Sequence, residues 1–172
     1  MQFRQAGGES DDSKNYVKLK DGESVVGIFA GDIYEFSKHW VVNRSVVCTG
    51  EGCEHCKSSG KRGGFRFRVN FVVKNPLGAY EPKIFEQGWK VYKNLRELNE
   101  EYPLEDTIVK ITRQGSQMND TSYSVLPIKD CLVKPDLAVK IKALKLIDLR
   151  HSEEKHQEPP HPVEMTESDI PF

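Results

Sequence analysis

Alternation of apolar and polar positions dominates the first two-thirds of the chain. Phe65-Arg66-Phe67-Arg68-Val69-Asn70-Phe71-Val72-Val73 is its clearest stretch and predicts a strand with Phe65, Phe67, Val69 and Phe71 on one face and Arg66 and Arg68 on the other. Upstream, Val17 and Leu19 alternate with Lys18 and Lys20 before an Asp21-Gly22 turn. Val25 to Gly31 reads as a buried strand whose glycines permit a bend. Residues 32–36 and 40–47 have the β-branched and aromatic density of strands. Asn75-Pro76-Leu77-Gly78 is a turn, and 80–85 is its return strand. Residues 108–112 and 123–126 form a hairpin around Gln114–Asp120.

The period changes twice. In 89–101, Val91, Leu95 and Leu98 share a helical face, and Tyr102-Pro103 stops the helix. In 135–149, Pro135 suits a first helical position, and Leu137, Ile141 and Leu144 share a face. Short strands interrupted by one helix, with a glycine-marked bend, fit a small barrel better than a bundle. The expected fold is mainly β: a five-stranded barrel of the oligonucleotide-binding (OB) type with a metal-binding loop inserted between strands. Residues 1–14 form a loose arm, 15–150 the domain, and 151–172 a disordered tail of Glu, His, Pro and Gln.

Composition sharpens this division. The whole chain of 172 residues carries a net charge of −1. Residues 151–172 hold six acids against Lys155 alone, whereas the remaining 150 residues hold 24 bases against 20 acids. Lys38, Arg44, Lys57, Lys61, Arg62, Arg66 and Arg68 face only Glu51 and Glu54 within 38–68. A basic segment beside an acidic tail points to an anionic ligand. It also suggests that the tail rests in the basic groove until ligand displaces it. No apolar run has membrane-spanning length, the first residues lack a secretory pattern, and a reducing cytoplasm is expected.

Cys48-x4-Cys53-x2-Cys56 supplies three ligands for a structural zinc ion, with Gly50 and Gly52 permitting the turn between them. Three residues compete for the fourth position. His39 leads, because a hairpin would bring it to the loop; His55 lies inside the knuckle, and Cys131 is distant in sequence. The sequence has no His-x-Glu pair beside the cysteines, no phosphate-cradling Gly-x4-Gly-Lys-Ser/Thr and no distinct nucleophile–base pair, so a non-enzymatic protein is expected.

Single-strand binding without sequence selectivity needs cations and exposed aromatic faces. Candidate contacts are Lys38, Arg44, Lys61, Arg62, Arg66, Arg68 and Arg113, with Tyr34, Phe36, Trp40, Trp89, Tyr92 and Tyr123 as stacking residues. The ending Asp169-Ile170-Pro171-Phe172 has the form of a peptide handle: upstream acids steer it, Pro171 stiffens it, and Phe172 fits an apolar pocket.

That ending resembles the C-terminal tip of bacterial single-stranded-DNA-binding proteins, although Glu167-Ser168-Asp169 stands where they carry an aspartate run. His39-x8-Cys48-x4-Cys53-x2-Cys56, the 65–73 strand and Arg113-Gln114-Gly115 with Tyr123–Pro127 resemble zinc-containing single-stranded-DNA-binding proteins of large tailed bacteriophages. The resemblance covers roughly residues 15–130 and the last few residues. It implies an OB fold, a zinc site of one histidine and three cysteines, and coating of single strands in replication, recombination or repair. It also implies recruitment of replication and recombination proteins through the tip and, for a phage protein, the host cytoplasm. The competing reading is a zinc-ribbon replication or transcription accessory factor that binds a polymerase and no free DNA.

Overall fold

The computed structural model describes residues 14–150, so the N-terminal arm before Lys14 and the acidic tail with Asp169, Ile170, Pro171 and Phe172 lie outside the described residues. Six antiparallel strands form one sheet: β1 (Ser24–Val41), β2 (Arg44–Val47), β3 (Gly64–Lys74), β4 (Tyr80–Gly88), β5 (Thr107–Gln114) and β6 (Ser122–Leu132). The order is β4-β3-β1-β5-β6, with β2 paired to the far end of β1. Three α-helices, α1 (Glu54–Ser59), α2 (Trp89–Glu101) and α3 (Pro135–Lys142), and a short 3-10 helix at Leu104–Asp106 accompany the sheet among the described residues. No helix among the described residues is long and apolar enough to cross a membrane.

The expectation of a mainly β chain holds, and the expected five-stranded barrel is corrected to a six-stranded open sheet. Among the described residues, no backbone pairing joins β4 to β6. Side chains span that gap instead, with the Phe85 and Tyr123 rings 6.2 Å apart edge to face and Val91 and Leu95 of α2 buried in the same cluster. Burying apolar area there stabilises the curled sheet without a closing ladder. The main core is Phe29, Phe67, Val69, Phe71, Phe85, Val109, Ile111 and Val125, capped by Val91, Leu95 and Leu104.

The sheet's other face is also covered. Ile28, Ala30 and Val72 pack under Ile141 of α3, with Leu144 and Leu146 beside them. The helix expected over 135–149 ends at Lys142. The chain beyond it becomes a strap across β3. Asn70 Nδ2 donates to the Ile147 carbonyl and Asn70 Oδ1 accepts from the Ile147 amide, both at 3.0 Å. Arg68 Nη1 donates to the Leu149 carbonyl at 3.1 Å. Apolar spacing at Leu144, Leu146, Ile147 and Leu149 therefore serves strap packing as well as it would a helix.

The three expected strands between 25 and 47 resolve into β1, 18 residues long, and the short β2. Gly27 lets β1 press against β3, since a Cβ there would lie 2.7 Å from the Phe71 ring and against the Val72 carbonyl oxygen. Near Gly31, four residues of β1 advance against two of β3, from Ala30↔Asn70 to Tyr34↔Arg68, and this bulge bends the strand. The far end reverses through a two-residue turn, Val42-Asn43, with φ of 42° and 62°. Both residues of such a turn need left-handed backbone, which is costly for a β-branched side chain.

Val42→Asn should therefore stabilise the fold by about 1 kcal/mol, because asparagine tolerates left-handed backbone. Urea unfolding of the two proteins measures this, and a lower midpoint for the variant would contradict the strain.

Candidate metal centre and basic aromatic face

Cys48 follows β2, its amide donating to the Ser37 carbonyl at 2.7 Å, so the hairpin's two strands meet at the cysteine loop. Gly50 and Gly52 take left-handed backbone, with φ of 85° and 83°, and the Cys53 amide closes a turn onto the Gly50 carbonyl at 3.1 Å. Cys53 caps α1 and Cys56 sits in its first turn. His39 lies on β1, paired with Val46 of β2.

These elements bring His39, Cys48, Cys53 and Cys56 together, with ligand atoms within 4.8 Å of one another. The Cys48 and Cys56 sulfurs are 3.5 Å apart, and His39 Nε2 lies 3.6 Å from Cys53 Sγ and 3.2 Å from Cys56 Sγ. A tetrahedral ion with bonds of roughly 2.0–2.3 Å spaces its ligands roughly 3.5–3.8 Å apart, so the group can hold a metal ion. His55 is in α1 with its ring 5.8 Å from that of His39, and Cys131 is on β6; neither belongs to the cluster.

The sulfurs are chemically unequal. Backbone amides of Cys56 and Thr49 hold the pKa of the Cys53 thiol down to about 5. The neighbouring Cys48 side chain and burial push Cys56 up. Two adjoining thiols resist ionising together, and a bound cation removes that conflict.

The face of β1 opposite His39 carries Tyr34, Phe36, Lys38 and Trp40 at alternate positions. Arg68 and Arg66 stand directly across from Tyr34 and Phe36 on β3. The Tyr34 and Phe36 rings stack 5.4 Å apart at 15°, and the Arg68 guanidinium sits 4.6 Å from the Phe36 centroid. Trp40 is 71% exposed. Gly63 packs against the Lys38 backbone and Cys48, which brings the exposed Lys61 and Arg62 to this end of the sheet. Arg44 is exposed on β2.

Arg68 departs from its expected place on a solvated face. It is 1% exposed, because Leu149 covers it and Glu86 Oε2 accepts from its Nε at 2.8 Å. Glu86, which sequence reasoning passed over, also meets Lys38 Nζ at 2.9 Å and Arg66 Nε at 3.4 Å. Burial opposes ionisation of Glu86, but the Arg68 hydrogen bond and the Lys38 charge outweigh it and hold its carboxyl below the usual value. One carboxylate thus organises three cations.

The remaining candidates lie elsewhere. Arg113 donates to the Leu19 carbonyl at 2.7 Å and the Gly115 carbonyl at 3.2 Å, bracing the β5–β6 loop. The next residue back, Thr112, pairs with Ser24, at the opposite end of β1 from Trp40. Tyr123 packs against the main core. Trp89, 52% exposed, stacks on Tyr92 at 5.6 Å and meets Phe65 edge-on at 5.3 Å. Phe65 pairs with Ser37 and so belongs to the side of the sheet opposite the Tyr34–Trp40 row.

No protein-family model matches the chain, and neither the curated proteins nor the solved structures contain a match to it.

Two outcomes follow from this geometry. Protein purified without chelator should carry one metal ion per chain by elemental analysis, and His39→Ala should lower metal affinity at least ~10-fold. Full metal retention by that variant would contradict the four-ligand site. Because the Glu86 carboxyl is held below its ordinary 4.5, its stabilising contribution is complete above that pH and is lost as pH falls through the lower folded value. Glu86→Gln should cost about 2–3 kcal/mol at neutral pH, and the gap to wild type should shrink as pH falls below 4.5. A pH-independent gap in urea titrations would contradict this.

Proposed function

We propose that this protein binds single-stranded DNA without sequence selectivity along the outer face of β1 and β3, and that zinc in the His39-Cys48-Cys53-Cys56 cluster braces that face. The observation that carries the reading is the row Tyr34, Phe36, Lys38 and Trp40 on one face of β1, with Arg66 opposite Phe36. Same-face side chains on a strand recur about every 6.8 Å, a repeat suited to successive splayed bases. Aromatic faces supply stacking that every base can satisfy, and the cations supply phosphate attraction.

Zinc fits the donor set, since three sulfurs and one imidazole in a closed cluster are the ligands of structural zinc. The ion's part is mechanical. His39 is flanked by Lys38 and Trp40, so fixing its ring from behind fixes the presentation of both neighbours in front. The strand path also supports an OB-like reading: β4-β3-β1-β5-β6 is the order of an OB barrel opened between its third and fifth strands, with α2 joining β4 to β5. Lys38, Arg44, Lys61, Arg62 and Arg66 are the cations assigned to phosphates. Arg68 is assigned a positioning role beneath Phe36, and Arg113 the bracing of a distant loop. Recruitment of replication or recombination proteins is assigned to Asp169, Ile170, Pro171 and Phe172.

Fluorescence anisotropy with labelled oligo-dT and with a duplex of equal length tests the reading across a salt series. Preference for the single strand is expected, with a log–log salt slope of about −2 to −4 for three to five neutralised phosphates. Phe36→Ala should weaken oligo-dT binding by about 1–3 kcal/mol. Equal affinity for strand and duplex, or none for either, would refute the proposal.

A further inference from the structure

We propose that the tip of the β1–β2 hairpin is a wedge that unstacks the terminal base pair where a duplex opens into a single strand, with Trp40 and Val42 as its apolar edge. The inference rests on the single-strand reading above and gives the tip a task distinct from holding that strand.

Trp40 and Val42 are 71% and 89% exposed, although both are large and apolar. Val42 occupies left-handed backbone, at φ 42°, in a two-residue turn with Asn43. Folding alone favours glycine or asparagine there, so an exposed valine at a strained position points to a use for its side chain. The tip is also fixed at its base. His39 pairs with Val46, Lys38 pairs with Val47, and His39 and Cys48 both join the ligand cluster. A finger held in this way can push on a base pair without yielding.

Position and charge select nucleic acid as the occupant. Trp40 continues the Tyr34–Phe36–Lys38 row, so a strand lying along that row leads directly to the tip. Arg44 follows the turn and is exposed, Lys57 is exposed on α1, and Lys61 and Arg62 are exposed in the loop after it. Two side chains form too small a patch for a stable protein interface, which needs about 800 Å² on each partner. Their size suits the flat face of one base pair, and apolar wedges beside basic side chains are an established way to unstack a base step.

The test uses the full-length, metal-loaded protein and a forked DNA with 2-aminopurine at its first paired position. Wild type should raise the 2-aminopurine fluorescence as that base unstacks. Val42→Asn and Val42→Gly suit the turn's backbone while removing the Val42 part of the apolar edge at the very tip. Both should reduce the rise at least about threefold at saturating protein, with oligo-dT affinity within about twofold of wild type. Full opening of the fork by both variants would overturn the wedge. Wild type that binds oligo-dT but leaves the fork closed would overturn the wedge alone, whereas wild type that fails to bind oligo-dT would refute the groove reading itself.

Discussion

Three sulfurs and an imidazole gathered within 4.8 Å behind the end of β1 are the constraint on which this end of the sheet depends. That end has little core of its own. β2 is four residues long with none fully buried, and α1 is six residues long with no buried residue. Elements so short cannot hold a fixed geometry by apolar burial, and a multidentate cation can replace the missing core. The cluster ties β1, the loop after β2 and α1 to one point, and the outward row of Lys38 and Trp40 takes its position from that point.

The sheet behind this end is stabilised in a different way. Its inner face is an aromatic and aliphatic core closed by α2, and its outer face is shared between α3, the strap at 147–149 and the Glu86 charge cluster. Arg68 joins two of these, bonding to Glu86 on one side and the strap on the other. Burying an ion pair this deeply contributes little net stability, but it fixes arrangement, because removing one partner strands the other charge. The stacked Tyr34 and Phe36 rings rest beside that arrangement, so ring placement and charge placement are coupled.

Much of this was legible in the chain. The 65–73 alternation, the 89–101 helix and the Cys48–Cys56 spacing declare themselves through period and ligand chemistry. Other features lacked a local signal. Alternation placed Arg68 on a free face because the strap that buries it lies about 80 residues away in sequence. The Val42-Asn43 turn has no glycine to mark it, so β1 and β2 merged at one end, while the Gly31 bulge split β1 at the other. The end of α3 was obscured because Leu144, Leu146, Ile147 and Leu149 satisfy either a helix or a strap. Glu86 is one of two acids on β4, and nothing in the neighbouring sequence reveals the three cations that converge on it rather than on Glu81.

The central claim is that a metal-braced hairpin presents one aromatic row to single-stranded DNA. Photocross-linking with a bromodeoxyuridine oligonucleotide, mapped by mass spectrometry on metal-loaded and metal-stripped protein, addresses it most directly. Cross-links at Tyr34, Phe36 and Trp40 that fade at Trp40 when the metal is removed are the predicted result. Cross-links confined to Trp89, Tyr92 or Tyr123, or a Trp40 cross-link indifferent to metal, would contradict it.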